Sequence, residues 1–417
     1  MNQEQDDSVA TYLGLQGFEV VAVKREQPPR RGPVKGVKVE RREGRHECPD
    51  CGRRHATALF AETTPIRLRD CSIGDQETSL EVWPARIACC GGTRVERLPF
   101  AMPGFRMTYR FFERIAALCT RLPVQSVAAM ANPSWATIAR IDGRAIELAL
   151  GDRSAALDGL RWLGVDEVSR TGGRVYFTIV TNRETGRVIW IGEGKGRKGL
   201  LSFLRALGPK RRRKIRGVVS DLGYPRIIAK RLRSAVHILD RFHIVQWLNE
   251  ALNQLRRRLF SAAPRDPVGR QMKVKKGMLL FARERLTRKD RRLLDELVTL
   301  NQPLYLGYLL KEQMRGILRS PWKYVGVMRR RVQEWVLAVF DAQLPEFRTV
   351  ARRITDHPDA VIAGDEHDVP LGLVESRNRQ IAALRFQARG YRDPEYFKLK
   401  IVQRCGLVNN PWARIVL

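Results

Sequence analysis

Three acidic residues have the type and setting that divalent-metal chemistry requires: Asp166 in RWLGVDEV, Asp221 in GVVSDLGY and Glu375 in LVESRNRQI. Carboxylates brought close together repel one another unless something neutralises them. A cluster at neighbouring strand ends therefore reads as a hard-cation site. Magnesium, or manganese in its place, suits such an oxygen-only ligand set. An aspartate at a strand end also serves as a turn residue or helix cap, so each residue taken alone leaves that second role open.

The surrounding elements are what tie the three together. RWLGVDEV, VYFTIVTN and RVIWIGEG are rich in β-branched and aromatic residues with turn residues between them, and read as three successive strands. A helical stretch, KGLLSFLRALG, leads to a further strand, IRGVVSD, that ends in Asp221. The order strand-strand-strand-helix-strand-helix-strand is that of an RNase H-like fold, whose first and fourth strands run side by side. Asp166 and Asp221 would then face one cleft. Their separation of 55 residues suits these elements, whereas the 154 residues from Asp221 to Glu375 imply an insertion. From 262 to 365 the chain is helical in period, rich in Lys and Arg and poor in strand signals, which predicts an all-helical insertion. The last catalytic helix is expected to begin near Glu375, to carry Asn378 and Arg379 one turn on, and to stop at Gly390, a favourable residue just past a helix end. Glu167 alternates to the side of the strand opposite Asp166, so a capping or ion-pair role fits it better than metal binding.

Charge points to the partner. The chain has 417 residues, 76 Lys+Arg against 44 Asp+Glu, and a net charge of +32. Such a surface repels itself unless it meets a polyanion, and counterion release makes nucleic acid the natural one. No run of about 18 apolar residues is present, so no membrane span is expected. The acidic start, MNQEQDDSVATYL, lacks the basic and apolar regions of a signal peptide, and the expected location is cytoplasmic.

The seven cysteines are odd in number and four of them cluster as metal ligands do. In Cys48-Pro-Asp-Cys51-Gly two thiolates three residues apart can share one ion, which reads as half of a structural zinc site. Cys89-Cys90-Gly91-Gly92 is the expected second half. Adjacent strand residues point apart, so both can ligate only if the backbone bends sharply, as the glycines allow. Cys71, His46 and His55 stay open as alternative fourth ligands.

Between the cysteine module and the acidic residues, TYRFFERIAALCTRL, VQSVAAMA and SWATIARIDGRAIE read as helices, the last started by Asn132 as N-cap and Pro133 at the first turn. Two short helices joined by a tight turn, the second carrying Ser134, Thr137 and Arg140, have the form of a helix-turn-helix that reads a major groove. A purely connecting role for the same helices is the alternative.

With these blocks in view, the chain resembles bacterial insertion-sequence transposases of the ISL-three family, which have a DDE catalytic core. The blocks are CPDCG with the later cysteines, the helix-turn-helix, LGVDEVS, VVSDLG, DRFHIVQWLNEALNQLRR, LVESRNRQI and GYRDPEYFKLKI, and they span nearly the whole chain. The resemblance implies that Asp166, Asp221 and Glu375 are the catalytic triad. It also implies that the N-terminal modules bind the terminal inverted repeats. Asp240-Arg241-Phe242-His243 is similar to a D-x-x-H signature of several transposase groups, which implies that His243 helps shape the active site near a phosphate; otherwise Asp240 caps the next helix and His243 packs on the sheet. Two departures stand out: the adjacent cysteines, and DVPLGLV before Glu375 in place of a polar run.

The resulting expectation is an α/β multidomain chain. It comprises a zinc-ribbon-like module at 1–100, a helix-turn-helix region at 101–155, an RNase H-like core at 156–261, the helical insertion at 262–365, and the rest of the core with the Glu375 helix at 366–417. The expected reaction is metal-dependent cleavage of double-stranded DNA and strand transfer to target DNA, by a homodimer or larger synaptic assembly. Phosphate contacts are expected from Arg211, Arg212 and Arg213, from Arg256, Arg257 and Arg258, and from Arg329, Arg330 and Arg331. Trp322 or Trp335 could stack on an extruded base, although most tryptophans at helical spacing are core. The competing readings are a zinc-containing DNA-binding regulator that no longer cuts, and a structure-specific nuclease that never joins ends.

Overall fold

The computed structural model describes residues 10–11, 13–27, 34–42, 44–74, 76–151, 157–170, 173, 175–262, 279–281, 283–299, 301–322, 324–367, 369, 373–388, 391–407 and 410–415; the side chains at 283, 293, 297–299 and 373–375 are outside that description. The chain divides into two compact units, one of residues 1–151 with 408–417, the other of residues 152–407.

The first unit holds strands β1 (Phe18–Glu26), β2 (Val34–Arg41), β3 (His46–Glu47), β4 (Arg54–His55), β5 (Phe60–Ala61), β6 (Ile66–Ile73), β7 (Gln76–Val82), β8 (Ala85–Cys89) and β9 (Gly92–Val95). Its main sheet runs β1-β2-β7-β6, with a pair β3-β4 and a three-stranded sheet β5-β8-β9 beside it. Inward residues of the main sheet, including Val20, Val37, Val39, Leu68 and Leu80, share one core with Phe18 and Phe100. Three helices follow: α1 (Tyr109–Arg121), α2 (Val124–Ala131) and α3 (Trp135–Leu150). Thr108 caps α1 through its hydroxyl, which also donates to the fully buried Asp70 of β6 at 2.7 Å. The Arg110 guanidinium donates to the same carboxylate at 2.6 Å, which locks α1 to the sheet. The start of α3 differs from the expectation. Asn132 adopts a left-handed backbone (φ 67°) that closes α2, a conformation incompatible with the extended one an N-cap needs, and Ser134 caps α3 instead. Sequence reading assigned the chain end to the catalytic part, yet its last described turn packs in the first unit. There the Trp412 indole N–H donates to the Ala145 carbonyl at 2.8 Å, and its ring meets Phe112 edge-on.

The second unit is built on β10 (Trp162–Ser169), β11 (Tyr176–Asn182), β12 (Arg187–Glu193), β13 (Gly217–Ser220) and β14 (Val236–Leu239), in the order β12-β11-β10-β13-β14. The first three form an antiparallel meander, and β13 and β14 run parallel to β10. Helices α4 (Arg197–Arg212) and α5 (Pro225–Arg231) cover one face through Leu200, Phe203, Leu204, Ile227 and Ile228 against Leu163, Val165, Val180 and Val218. A long helix, α6 (Arg241–Ala262), leaves the end of β14 and enters a helical body with α7 (Arg288–Thr299), α8 (Gln302–Arg319), α9 (Val325–Asp341), α10 (Pro345–Asp356) and α11 (Pro358–Glu366). The apolar stripe of α6, with Ile244, Leu248, Leu252 and Leu255, is continuous with Leu304, Met314, Trp335 and Phe347 of that body. The other face of the sheet meets α11 and then α12 (Leu373–Gln387) and α13 (Pro394–Cys405), where Phe177, Ile179 and Val188 pack on Ile381, Phe397 and Ile401. Helix α12 ends at Gln387, and Gly390, expected to stop it, lies outside the described residues.

Close approach of α4 to the sheet depends on glycine. A Cβ on Gly199 would lie 2.1 Å from the Thr178 hydroxyl oxygen, and one on Gly192 would lie 2.9 Å from the Gly199 carbonyl oxygen. Gly199→Ala must therefore push α4 away from β11 and β12, at a cost of about 1–3 kcal/mol of overpacking. A lower denaturation midpoint in urea, at unchanged slope, is the expected result.

Candidate active site

The site is organised by strand register. Gly164 pairs with Val219 across β10 and β13, so Asp166 and Asp221, each two residues on, stand level. Ser220 pairs with Leu239 across β13 and β14, which sets Asp240 beside Asp221 in the same row. Asp166 accepts the Glu167 backbone N–H on Oδ1 at 2.7 Å, and its Oδ2 accepts the side-chain amide of Asn378 on α12. His243, in the first turn of α6, holds its Nε2 3.8 Å from Asp166 Oδ1, too far for a hydrogen bond but close enough for charge attraction when protonated. Burial raises the Asp166 carboxyl above its ordinary range, and nearby Asp240 adds to the effect; the Glu167 N–H, Asn378 and His243 oppose it.

The other acidic residues divide by role. Asp221 Oδ1 accepts the Gly223 N–H at 2.8 Å, so it forms the turn the bland reading expected while also standing in the row. Asp240 accepts the Phe242 N–H at 3.0 Å and caps α6, and it is buried. Glu375 lies on α12 one turn before Asn378; its side chain is outside the described residues. Glu167 faces the other way, as alternation predicted. Its Oε1 accepts the Tyr224 hydroxyl at 2.9 Å and the Gly196 N–H at 2.8 Å, with Lys195 at 3.5 Å, so it ties the entrances of α4 and α5 to the sheet.

In the first unit the thiols of Cys48, Cys51, Cys89 and Cys90 lie within 4.8 Å of one another, a group that can hold a metal ion. Among the described residues no other set of three or more ligating side chains is gathered that closely; Asp166, Asp221 and Asp240 are aligned, not clustered to that degree. The adjacent cysteines converge because Cys90 and Gly91, with φ of 53° and 71°, form the two-residue turn of the β8-β9 hairpin. Cys71 is on β6, in the other sheet, and His46 is hydrogen-bonded to Glu96; neither they nor His55 is in the gathered set of four thiols. The Arg53 backbone N–H, followed by the neighbouring thiols, lowers Cys51 to about 7, while contact with Cys51 and Cys89 raises Cys90 to about 12 and burial raises Cys89, so the thiols shed their protons unequally.

Known proteins decide the family. Residues 163–401 match the family model described as a transposase of the DDE type, and residues 96–145 match the helix-turn-helix domain of transposase family ISL3. The chain is also similar to the transposase for insertion sequence element IS1001 of Bordetella parapertussis, 28% identical over 93% of this chain and 95% of that protein. With the transposase for insertion sequence element IS1557 of Mycobacterium tuberculosis it shares 27% identity over 84% of this chain and 83% of that one.

The chain belongs to the ISL3 transposases. It is a DDE transposase, an enzyme of DNA transposition. The helix-turn-helix match takes in α1, α2 and most of α3. Within this transposase the Ser134 hydroxyl is engaged as an N-cap with the Thr137 N–H at 3.2 Å and the Thr137 hydroxyl at 2.9 Å. Arg140 lies over the Phe105 ring at 4.6 Å. Trp135, at the first position of α3, is exposed, and no periodicity signal marked it out.

The basic runs are not uniform. Arg256 is buried, with its guanidinium on Asn253 at 3.2 Å, which removes it from the surface expected to meet phosphates; it falls on the inner stripe of α6 with Leu252 and Leu255. Arg257, Arg213 and Arg330 are exposed. Arg211 pairs with Asp158 at 2.7 Å, Arg258 with Glu346 at 2.7 Å and Arg329 with Asp359 at 2.8 Å. Such partly exposed pairs hold only weakly against a competing phosphate. Trp335 is buried, its N–H on the Leu310 carbonyl at 2.8 Å, and half-buried Trp322 donates to the Ile317 carbonyl at 2.7 Å; both line a groove of about 390 Å³ with Gly316, Ser320 and Arg331. Sequence reasoning missed Arg183, fully buried just past β11 with no hydrogen-bond partner for its guanidinium nitrogens among the described residues; burial lowers its pKa, and Asp240 acts against that shift.

Glu167 belongs to the scaffold, and Tyr224→Phe tests this. The variant should lose about 1–3 kcal/mol of stability through a buried acceptor left short of a donor, with divalent-cation binding unchanged in calorimetry.

Proposed function

We propose that Asp166, Asp221 and Glu375 hold the divalent cations of the transposase, magnesium or manganese, within an RNase H-like core. The reading is supported chiefly by register. Parallel pairing of β10 with β13 makes Asp166 and Asp221 level, and the Asn378 contact brings the Glu375 helix to Asp166. The donor set fits, being oxygen-only and containing a carboxyl that burial leaves short of positive charge. When bound, the cations would activate the attacking oxygen and stabilise the leaving one. The chain's own residues orient: Asp240 caps α6 and so fixes His243 beside Asp166, where it can meet a phosphate of the scissile strand. No Ser, Cys or His nucleophile is required for such phosphoryl transfer.

The proposed division of the chain follows the sequence boundaries except at its end, with DNA-end recognition in 1–155 joined by 408–417, the core in 156–261 and 366–407, and the helical insertion between. In this reading the four cysteines hold a structural zinc that folds the hairpin tips together. The helix-turn-helix binds the terminal inverted repeats with Ser134, Thr137 and Arg140 at the leading end of α3, and Trp135 joins them. Arg211, Arg212, Arg213, Arg257, Arg258, Arg329 and Arg330 contact phosphates, and Trp322 lines the groove that would take an extruded base. Two DNA ends held together require at least a homodimer. The proposed location is the bacterial nucleoid; among the described residues no helix is long and apolar enough to cross a membrane.

Two measurements test this reading. A plasmid carrying the gene with its native flanking DNA should yield new junctions with short target duplications in cells, and Glu375→Gln should reduce them to background. Junctions that persist in the mutant would remove Glu375 from the chemistry. For the cysteine site, purified protein should contain about one zinc per chain. Cys90→Ser should lose most of it and Cys71→Ser none, as read by atomic emission.

A further inference from the structure

Both carboxylate oxygens of Asp166 are engaged, and the three groups around them differ in kind. The Glu167 N–H is part of β10 and moves only with the strand. His243 at 3.8 Å makes no hydrogen bond. Asn378, by contrast, reaches Oδ2 with a side-chain amide that can turn. Other contacts dock α12 as well, so the amide can turn without freeing the helix. Arg377 Nε donates to the Gly186 carbonyl at 2.7 Å, Arg385 Nη1 donates to the Ser169 carbonyl at 2.8 Å, and Ile381 is buried against the sheet.

A primary amide carries a donor and an acceptor on one plane, and a half-turn about χ2 exchanges them. Opposite a bare carboxylate it must present N–H; opposite a cation it must present oxygen. The exchange moves no proton and alters no charge, which suits a site that has to be stable both empty and filled.

We propose that Asn378 is an exchangeable ligand of the active-site cation, its N–H resting on Asp166 while the site is empty and its carbonyl oxygen turning to the cation that Asp166 binds. The inference rests on the reading of Asp166 as a cation ligand. When empty, the amide holds the Glu375 helix against a buried carboxylate; when filled, the same side chain completes a hard oxygen shell.

The test uses the full chain with three variants, Mn²⁺ binding by calorimetry, and thermal midpoints without metal and in saturating Ca²⁺. N378L keeps the size and removes both polar atoms, so it should weaken Mn²⁺ binding by about ten-fold or more. N378D places two carboxylates face to face. It should lower the metal-free midpoint, bind Mn²⁺ about ten-fold more tightly, and gain more from Ca²⁺ than the unaltered protein does. If both variants lower the metal-free midpoint and bind Mn²⁺ as the unaltered protein does, the amide is a structural hydrogen bond and the inference fails. Tighter Mn²⁺ binding by N378L would make the amide a mere obstacle and would also sink it. D166N separates the levels: lost Mn²⁺ binding there, with normal binding in both Asn378 variants, overturns only the exchange. Retained binding in D166N overturns the Asp166 reading and the exchange together.

Discussion

A carboxylate taken out of water must find a counter-charge, hydrogen-bond donors or a proton, and the arrangement around Asp166 follows from that requirement. Parallel pairing of β10, β13 and β14 places Asp166, Asp221 and Asp240 in one row, so the sheet concentrates negative charge where its strands end. The unit answers with partners that bring no full charge to bonding distance: a fixed backbone N–H, the Asn378 amide, and a histidine held at charge distance but not at bonding distance. The buried Arg183 adds a positive charge felt by Asp240 from below. Burial, with Asp240 adding to it, outweighs these partners and holds the Asp166 carboxyl above its ordinary range, and a cation is the natural complement of such a row.

Rigidity at the row comes from helices rooted elsewhere. Helix α6 begins at the site, with Asp240 as cap and His243 in its first turn, and ends deep in the helical body, where Leu252 and Leu255 pack with Leu304 and Phe347. The inserted helices therefore act on the site through the helix that carries His243. On the opposite face, Gly199 and Gly192 let α4 lie directly on β11 and β12, and Glu167 clamps the entrances of α4 and α5 through Tyr224 and Gly196. Neighbouring residues on one strand thus face opposite ways, Asp166 into the acidic row and Glu167 into the frame.

The first unit follows a different logic. Its sheets are small, and the tip that carries the cysteines has little apolar core of its own beyond Cys48, Ile87 and Cys89. A cross-link through metal is a common remedy for so small a core. The helix-turn-helix is bound to the main sheet by the buried Asp70, which takes Thr108 and Arg110 together. Fusing reader and sheet in this way orients α3 as a rigid extension of the β-structure.

How much was legible in the sequence depended on the range of the interaction. Local patterns carried the meander of β10 to β12, the strand leading to Asp221, the opposed directions of Asp166 and Glu167, the helical character of the segment between α6 and α12, and both halves of the cysteine cluster, because period and turn chemistry are written in neighbouring residues. Where a local signal had two competent carriers it misled: Asn132 and Ser134 both suit an N-cap, and only the left-handed closure of α2 assigned the role to Ser134. Arg256 read as a surface cation until α6 found which of its stripes faces inward. The Asn378 contact with Asp166 spans 212 residues, and Asp240 joins the row only through the register of β14 on β13. The sequence by itself determined which residues are able to do chemistry and on what kind of element each sits. Tertiary structure alone decided which of them meet, because strand register and the buried face of a helix are set by packing between distant segments, and no local pattern encodes their energies.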